Sequence, residues 1–272
     1  MDKRGSIGIF DSGLGGLTVA RQVMKVLPKE NIVYFGDNGR VPYGERPREV
    51  IVEFSKQISR FLIKKGAKMI IIACNTATAA ALDALKEEFD LPIIGVISAG
   101  ARMAASATKN RKIGVIGTTY TIKSEAYHKK IKELRHDVEV YGSPCPKFTP
   151  LIEGGKQDSQ ELIEAAQEYL APLKEKGVDV LVLGCTHYPI VAKHLQKIMG
   201  DSVTLVDPAI ATAEEAKALL DEKGGRNEGN LSPTYLFYTT GDASTFANFA
   251  KQIVGLGEVD VTHVPVSELE RG

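Results

Sequence analysis

Short runs of β-branched and other apolar residues, bounded by Gly, Asp or Pro, alternate along this chain with longer stretches of helical pattern. That alternation predicts strands from Ser6 to Phe10, Ile32 to Phe35, Met69 to Ala73, Ile93 to Val96, Ile113 to Ile116, Val138 to Tyr141, Val180 to Leu183 and Thr204 to Val206. Tyr235 to Tyr238 and Asp260 to His263 add two more. Helices fit between them, for example Arg48 to Lys64, Thr76 to Glu88, Ser159 to Lys176 and Ile190 to Met199. Met69-Ile70-Ile71-Ile72-Ala73 and Val180-Leu181-Val182-Leu183-Gly184 are apolar without alternation, as central strands buried on both faces must be. The fold class is α/β, a parallel sheet covered by helices.

Self-comparison sharpens this reading, because four features recur in the same order. Ile7-Gly8-Ile9-Phe10 returns as Ile113-Gly114-Val115-Ile116, and Gly36 returns as Gly142, both at an offset of 106. Cys74 after its apolar strand returns as Cys185, and Val96 returns as Val206. Two homologous open parallel-sheet domains in pseudo-twofold relation are expected, residues 1–97 with 208–272 forming the first and 98–207 the second. Each places a cysteine at the carboxyl end of a central strand, where open α/β sheets put their ligand crevice, so the active site is expected in the cleft between the domains.

Charge and composition narrow the partners. Thirty-four Lys and Arg balance thirty-four Asp and Glu, so no global field draws the chain to nucleic acid or an anionic membrane. The N-terminus reaches Asp11 after a few apolar residues and no apolar run nears the ~20 residues of a membrane span, which predicts a protein neither secreted nor membrane-spanning. Three separated cysteines, Cys74, Cys145 and Cys185, build neither a disulfide framework nor a CxxC zinc site. A reducing cytoplasm is the expected compartment.

Three motifs carry candidate chemistry. Gly13-Leu14-Gly15-Gly16 with Asp37 suggests a dinucleotide site, but Thr18 stands where that fingerprint needs its third glycine; the glycines then read as a tight strand-to-helix turn. A P-loop sequence is absent. In Ala73-Cys74-Asn75-Thr76 a cysteine leaves a buried strand and enters a helix, a position expected to lower its pKa. Asn75, Thr76 and the free N–H groups of that turn can bind a carboxylate. Gly184-Cys185-Thr186-His187-Tyr188-Pro189 repeats the arrangement, with a helix expected to start near Pro189 and His187 placed to exchange protons with the thiol. A metal on Cys185 and His187 lacks further ligands at recognisable spacing, and a Cys-His-Asn hydrolase leaves the duplicated thiol unexplained. Two thiols suit work on both faces of one carbon, one removing an α-proton and the other delivering one.

Asp11-Ser12-Gly13-Leu14-Gly15-Gly16, Pro42-Tyr43-Gly44, Ala73-Cys74-Asn75-Thr76-Ala77 and Gly184-Cys185-Thr186-His187-Tyr188-Pro189 together resemble the signature of the glutamate racemase family, in the cofactor-independent aspartate/glutamate racemase superfamily, and the whole chain looks like a bacterial, Gram-positive-type member. The resemblance implies interconversion of L- and D-glutamate without cofactor or metal, D-glutamate supplying peptidoglycan synthesis. It implies that Cys74 handles the proton of D-glutamate with help from Asp11, and Cys185 that of L-glutamate with help from His187 and Glu153. It gives the substrate's α-groups to Asp11, Ser12, Asn75, Thr76, Thr118, Thr121 and Thr186, and its side-chain carboxylate to the Pro42, Tyr43, Gly44 turn. By its residues alone, Glu153 reads as a solvated acid before Gly154-Gly155. The partner expected is glutamate, with no membrane and no nucleic acid, and a homodimer is left open. A racemase for aspartate or another amino acid, a cysteine hydrolase and a non-catalytic binding protein are the alternatives.

Overall fold

Strand β1 (Ser6–Asp11) is buried from Ile7 through Asp11, the burial of a strand covered on both faces. A computed structural model describes residues 2–271. Along the first part of the chain follow α1 (Leu17–Val26), β2 (Ile32–Gly36), α2 (Arg48–Lys64), β3 (Ala67–Ile72), α3 (Asn75–Glu88), β4 (Ile93–Gly95) and α4 (Val96–Ala107). Next come β5 (Lys112–Gly117), α5 (Thr119–Lys123), α6 (Ala126–Leu134), β6 (Glu139–Pro144), α7 (Phe148–Glu153), α8 (Gln160–Glu175), β7 (Val180–Gly184), α9 (Ala192–Met199) and β8 (Thr204–Val206). The chain finishes with α10 (Pro208–Glu222), β9 (Tyr235–Thr239), α11 (Ala243–Val254), β10 (Val261–His263) and α12 (Val266–Glu270).

Two units result, one running up to Val96 and resuming at Thr212, the other Ile97–Ala211. The first holds a six-stranded sheet in the order β10-β9-β2-β1-β3-β4, and the second a four-stranded sheet in the order β6-β5-β7-β8. Every strand pair is parallel. The fold is thus α/β with parallel sheets. The strand series β2-β1-β3-β4 and β6-β5-β7-β8 share one connectivity, with Gly36 in β2 and Gly142 in β6, Cys74 after β3 and Cys185 after β7.

In the first unit, α2 buries Ile51, Ile58, Phe61 and Leu62, a helical stripe. In the second, Leu181 and Leu183 of β7 share a core with Leu162 and Leu170 of α8, Phe148 and Tyr188. Strand β6 ends on Pro144, tolerated because β6 is an edge.

One element departs from expectation. The segment after Cys185 forms a 3₁₀ turn, Tyr188–Val191, and the α-helix α9 begins only at Ala192. Tyr188 and Ile190 donate their N–H groups to the carbonyls of Cys185 and His187, three residues back, so the chain tightens before it widens into an α-helix. Cys185 therefore does not cap an α-helix as Cys74 does.

Candidate functional site

In the first unit the site is built at the carboxyl ends of β1 and β3. Asp11 ends β1, is buried, and its Oδ2 accepts the N–H groups of Gly13 at 3.1 Å and Gly16 at 3.0 Å. The glycine turn thus wraps an anion supplied by the chain itself. Gly16 is required there: a Cβ would lie 2.5 Å from the Cβ of Asp11, 2.7 Å from the Tyr34 hydroxyl and 3.0 Å from the Cβ of Ala73. Cys74 caps α3, its Sγ accepting the Ala77 N–H at 3.4 Å, and its thiol donates to the Ser12 hydroxyl at 3.4 Å. Asn75 and Thr76 are buried in the first turn of that helix.

The acidity expected of Cys74 is corrected by this environment. Burial, and after it the negative charge of Asp11, push the thiol up to about 12, against the lowering effect of Ser12 and the Ala77 N–H. A helix N-terminus favours thiolate, but desolvation and a neighbouring carboxylate outweigh it here.

Pro42, Tyr43 and Gly44 follow β2 in a short loop, with Tyr43 buried in a 3₁₀ turn. Its hydroxyl donates to Asp37. The same carboxylate accepts Arg40 Nε at 2.8 and 3.0 Å and the Thr240 hydroxyl at 2.7 Å. Asp37, the residue that suggested a dinucleotide ribose, is spent on holding this loop. Arg40 was legible three positions along the chain, whereas Thr240 carries no signal in the sequence because only the pairing of β9 with β2 brings it there.

In the second unit Cys185 follows β7 and is 6% exposed. Its Sγ lies 3.7 Å from His187 Nδ1 and 3.8 Å from the Thr149 hydroxyl. His187 Nε2 is 2.9 Å from Glu153 Oε1. Burial acts to lower the His187 pKa, but the hydrogen bonds and charges of Cys185 and Glu153 prevail and lift it to about 10. As an imidazolium it donates one N–H to Glu153 and turns the other toward the sulfur. Glu153, solvated by its sequence surroundings, is thus drawn to His187. Thr186 is buried beside them, and Thr118 caps α5 by accepting the Thr121 N–H at 3.2 Å, the two hydroxyls 3.0 Å apart. Cys145 is packed in the core, where burial and then the charge of Cys185 push its thiol well up, and the Tyr188 hydroxyl donates to its carbonyl.

Sequence reasoning missed Thr149. A signal existed, because Thr149 and Glu153 are four apart and share one face of α7. Among the described residues no cluster of three or more His, Cys, Asp or Glu side chains could hold a metal ion, and no helix is long and apolar enough to cross a membrane.

Comparison with known proteins gives the family. The Asp/Glu/Hydantoin racemase family matches residues 17–216. A glutamate racemase of Oceanobacillus iheyensis is 45% identical over 254 residues, 93% of this chain and 92% of the relative. A crystal structure of a glutamate racemase isoform from Bacillus anthracis superposes with a TM-score of 0.93 at 41% identity, covering 97% of this chain and 98% of that one. That of the Francisella tularensis glutamate racemase in complex with D-glutamate gives a TM-score of 0.90 at 37% identity, covering 98% and 99%. By this match over most of its length, the chain belongs to the Asp/Glu/Hydantoin racemase family of isomerases and is similar in sequence and fold to its glutamate racemases.

Proposed function

We propose that the protein interconverts L- and D-glutamate by two-base proton transfer between Cys74 and Cys185, without cofactor or metal. The observation that carries this reading is the duplicated strand-end thiol, each copy with its own polar partners, in a chain so similar to glutamate racemases. In the direction from L-glutamate, the Cys185 thiolate takes the α-proton and the Cys74 thiol delivers its proton to the opposite face of the carbanion. The reverse direction exchanges the roles. Cys74, held as a thiol by burial and Asp11, is set to donate; once deprotonated it is a strong base, as removal of a weakly acidic α-proton demands. His187, raised by its contacts with Cys185 and Glu153, is cationic and steadies negative charge on Cys185.

Asp11, Ser12, Asn75, Thr76, Thr118, Thr121 and Thr186 would hold the α-amino and α-carboxylate groups, and the Pro42 to Gly44 loop the side-chain carboxylate. Backbone N–H groups directed at the α-carboxylate stabilise the carbanion where water is excluded. The D-glutamate formed would supply peptidoglycan synthesis, and with it cell wall biogenesis and cell shape. Three unpaired cysteines are in keeping with a cytoplasmic enzyme.

The test is incubation of protein, dialysed against chelator and free of pyridoxal phosphate, with each glutamate enantiomer in deuterated water. Deuterium should enter at Cα with either enantiomer, and aspartate should exchange far more slowly. A requirement for added metal or pyridoxal phosphate overturns the reading, and faster exchange with aspartate changes the substrate.

A further inference from the structure

We infer that Thr149 is a further catalytic residue, its hydroxyl donating to the Cys185 thiolate that removes the proton of L-glutamate. This rests on the two-thiol reading above. Thr149 Oγ1 is 3.8 Å from Cys185 Sγ, within reach of a hydrogen bond to sulfur, and His187 Nδ1 lies 3.7 Å from the same atom. Helix α7 carries both supports of the sulfur: Thr149 at its second residue touches Sγ directly, and Glu153 at its last holds His187 at 2.9 Å. The four-residue spacing puts the two side chains on one face.

The helix is fixed relative to the thiol. Phe148, fully buried, packs edge-on against Tyr188, three residues beyond Cys185, with ring centroids 5.1 Å apart. It meets Tyr169 of α8 in the same way at 5.5 Å. Thr149 therefore cannot drift from the sulfur without unpacking an aromatic cluster. The first unit offers an independent parallel, since Cys74 has its own hydroxyl neighbour, Ser12 Oγ, at 3.4 Å. Each thiol of the pair thus has a hydroxyl within hydrogen-bond reach, although Ser12 lies in a turn after β1 and Thr149 in a helix after β6. A buried thiolate is poorly solvated, and a donor already aimed at it stabilises the charge without reorganisation.

The experiment uses an analogue of each glutamate enantiomer carrying a leaving group on its amine. Removal of the α-proton lets the electron pair form a C=N bond as that group departs from nitrogen, so one thiol suffices and its contribution is read alone. Thr149→Val, nearly isosteric, should slow elimination from the L analogue about tenfold, the worth of one hydrogen bond to a charged group. Elimination from the D analogue should stay within about twofold, and this also reports that the fold is intact. Thr149→Ser should restore the L rate. Because the glutamate enantiomers have equal free energy, kcat/KM for racemisation should fall equally in both directions. An unchanged L rate, or equal slowing of both analogues, overturns the role of Thr149. Cys185→Ala separates the two levels: if it abolishes elimination from the L analogue while Thr149→Val does not slow it, only Thr149 is wrongly assigned. If Cys185→Ala still eliminates from the L analogue, the thiol assignment fails, and this role with it.

Discussion

At the scale of single residues, the protein turns on how burial is set against nearby charge. Asp11 is the charged group beside Cys74, so Asp11→Asn should lower the thiol from about 12 toward its ordinary range. Alkylation of Cys74 at mildly alkaline pH should accelerate; an unchanged rate would show that desolvation alone holds the proton. On the other side, His187 is raised to about 10 from an ordinary 6.5. A group raised in the folded state adds stability that is fully present below about pH 6.5 and is lost as pH climbs through about 10. Glu153→Gln removes one cause of the rise, so the His187 midpoint seen by NMR should fall and the stability lost between those pH values should shrink. Gly16→Ala should be severe, since its Cβ meets the backbone-proximal atom of Asp11 rather than a flexible tip. Destabilisation of about 1 to 3 kcal/mol in urea unfolding is expected from overpacking, together with loss of racemisation as Asp11 moves.

The two cysteine-bearing strand ends differ in the helix ends that follow them. Cys74 caps a 14-residue helix through the Ala77 N–H, whereas Cys185 leads into a 3₁₀ turn whose bonds are made by backbone alone. Cys74→Ala therefore removes a cap as well as the proposed base, and should unfold at lower urea than Cys74→Ser by about 0.5 to 1 kcal/mol. Cys185→Ala and Cys185→Ser should differ by less. Equal stabilities for the Cys74 pair would mean that the sulfur contributes nothing to α3.

For the whole molecule, the first unit depends on a buried ion pair at the opposite end of β3 from Cys74. Lys68, at the start of the strand that leads to Cys74, has its Nζ 2.5 Å from Glu30, and both side chains are 1% exposed. It also donates to the carbonyls of Lys3 and Gly225, while Glu30 accepts the Asn227 N–H, so the segment after α10 is tied to this sheet. Lys68→Met leaves a buried carboxylate without its cation and should cost about 3 to 5 kcal/mol in urea unfolding, much of it recovered when Glu30→Gln is added.

The sequence by itself determined the parallel α/β architecture, because unbroken apolar runs such as Met69 to Ala73 can be buried only in strands covered on both faces. It also placed both thiols at strand ends, since Cys74 and Cys185 follow those runs directly. Local pattern failed where the deciding partner is distant in the chain. The proton affinity of Cys74 depends on Asp11 and on exclusion of water, the state of His187 on Glu153, and the position of Tyr43 on Asp37 and Thr240. The helix expected near Pro189 gave way to a 3₁₀ turn for the same reason, as Tyr188 packs into the core on Phe148. Hydrophobic periodicity records which side of an element faces inward; it does not record which polar group waits there, and desolvation and charge act through that distance alone.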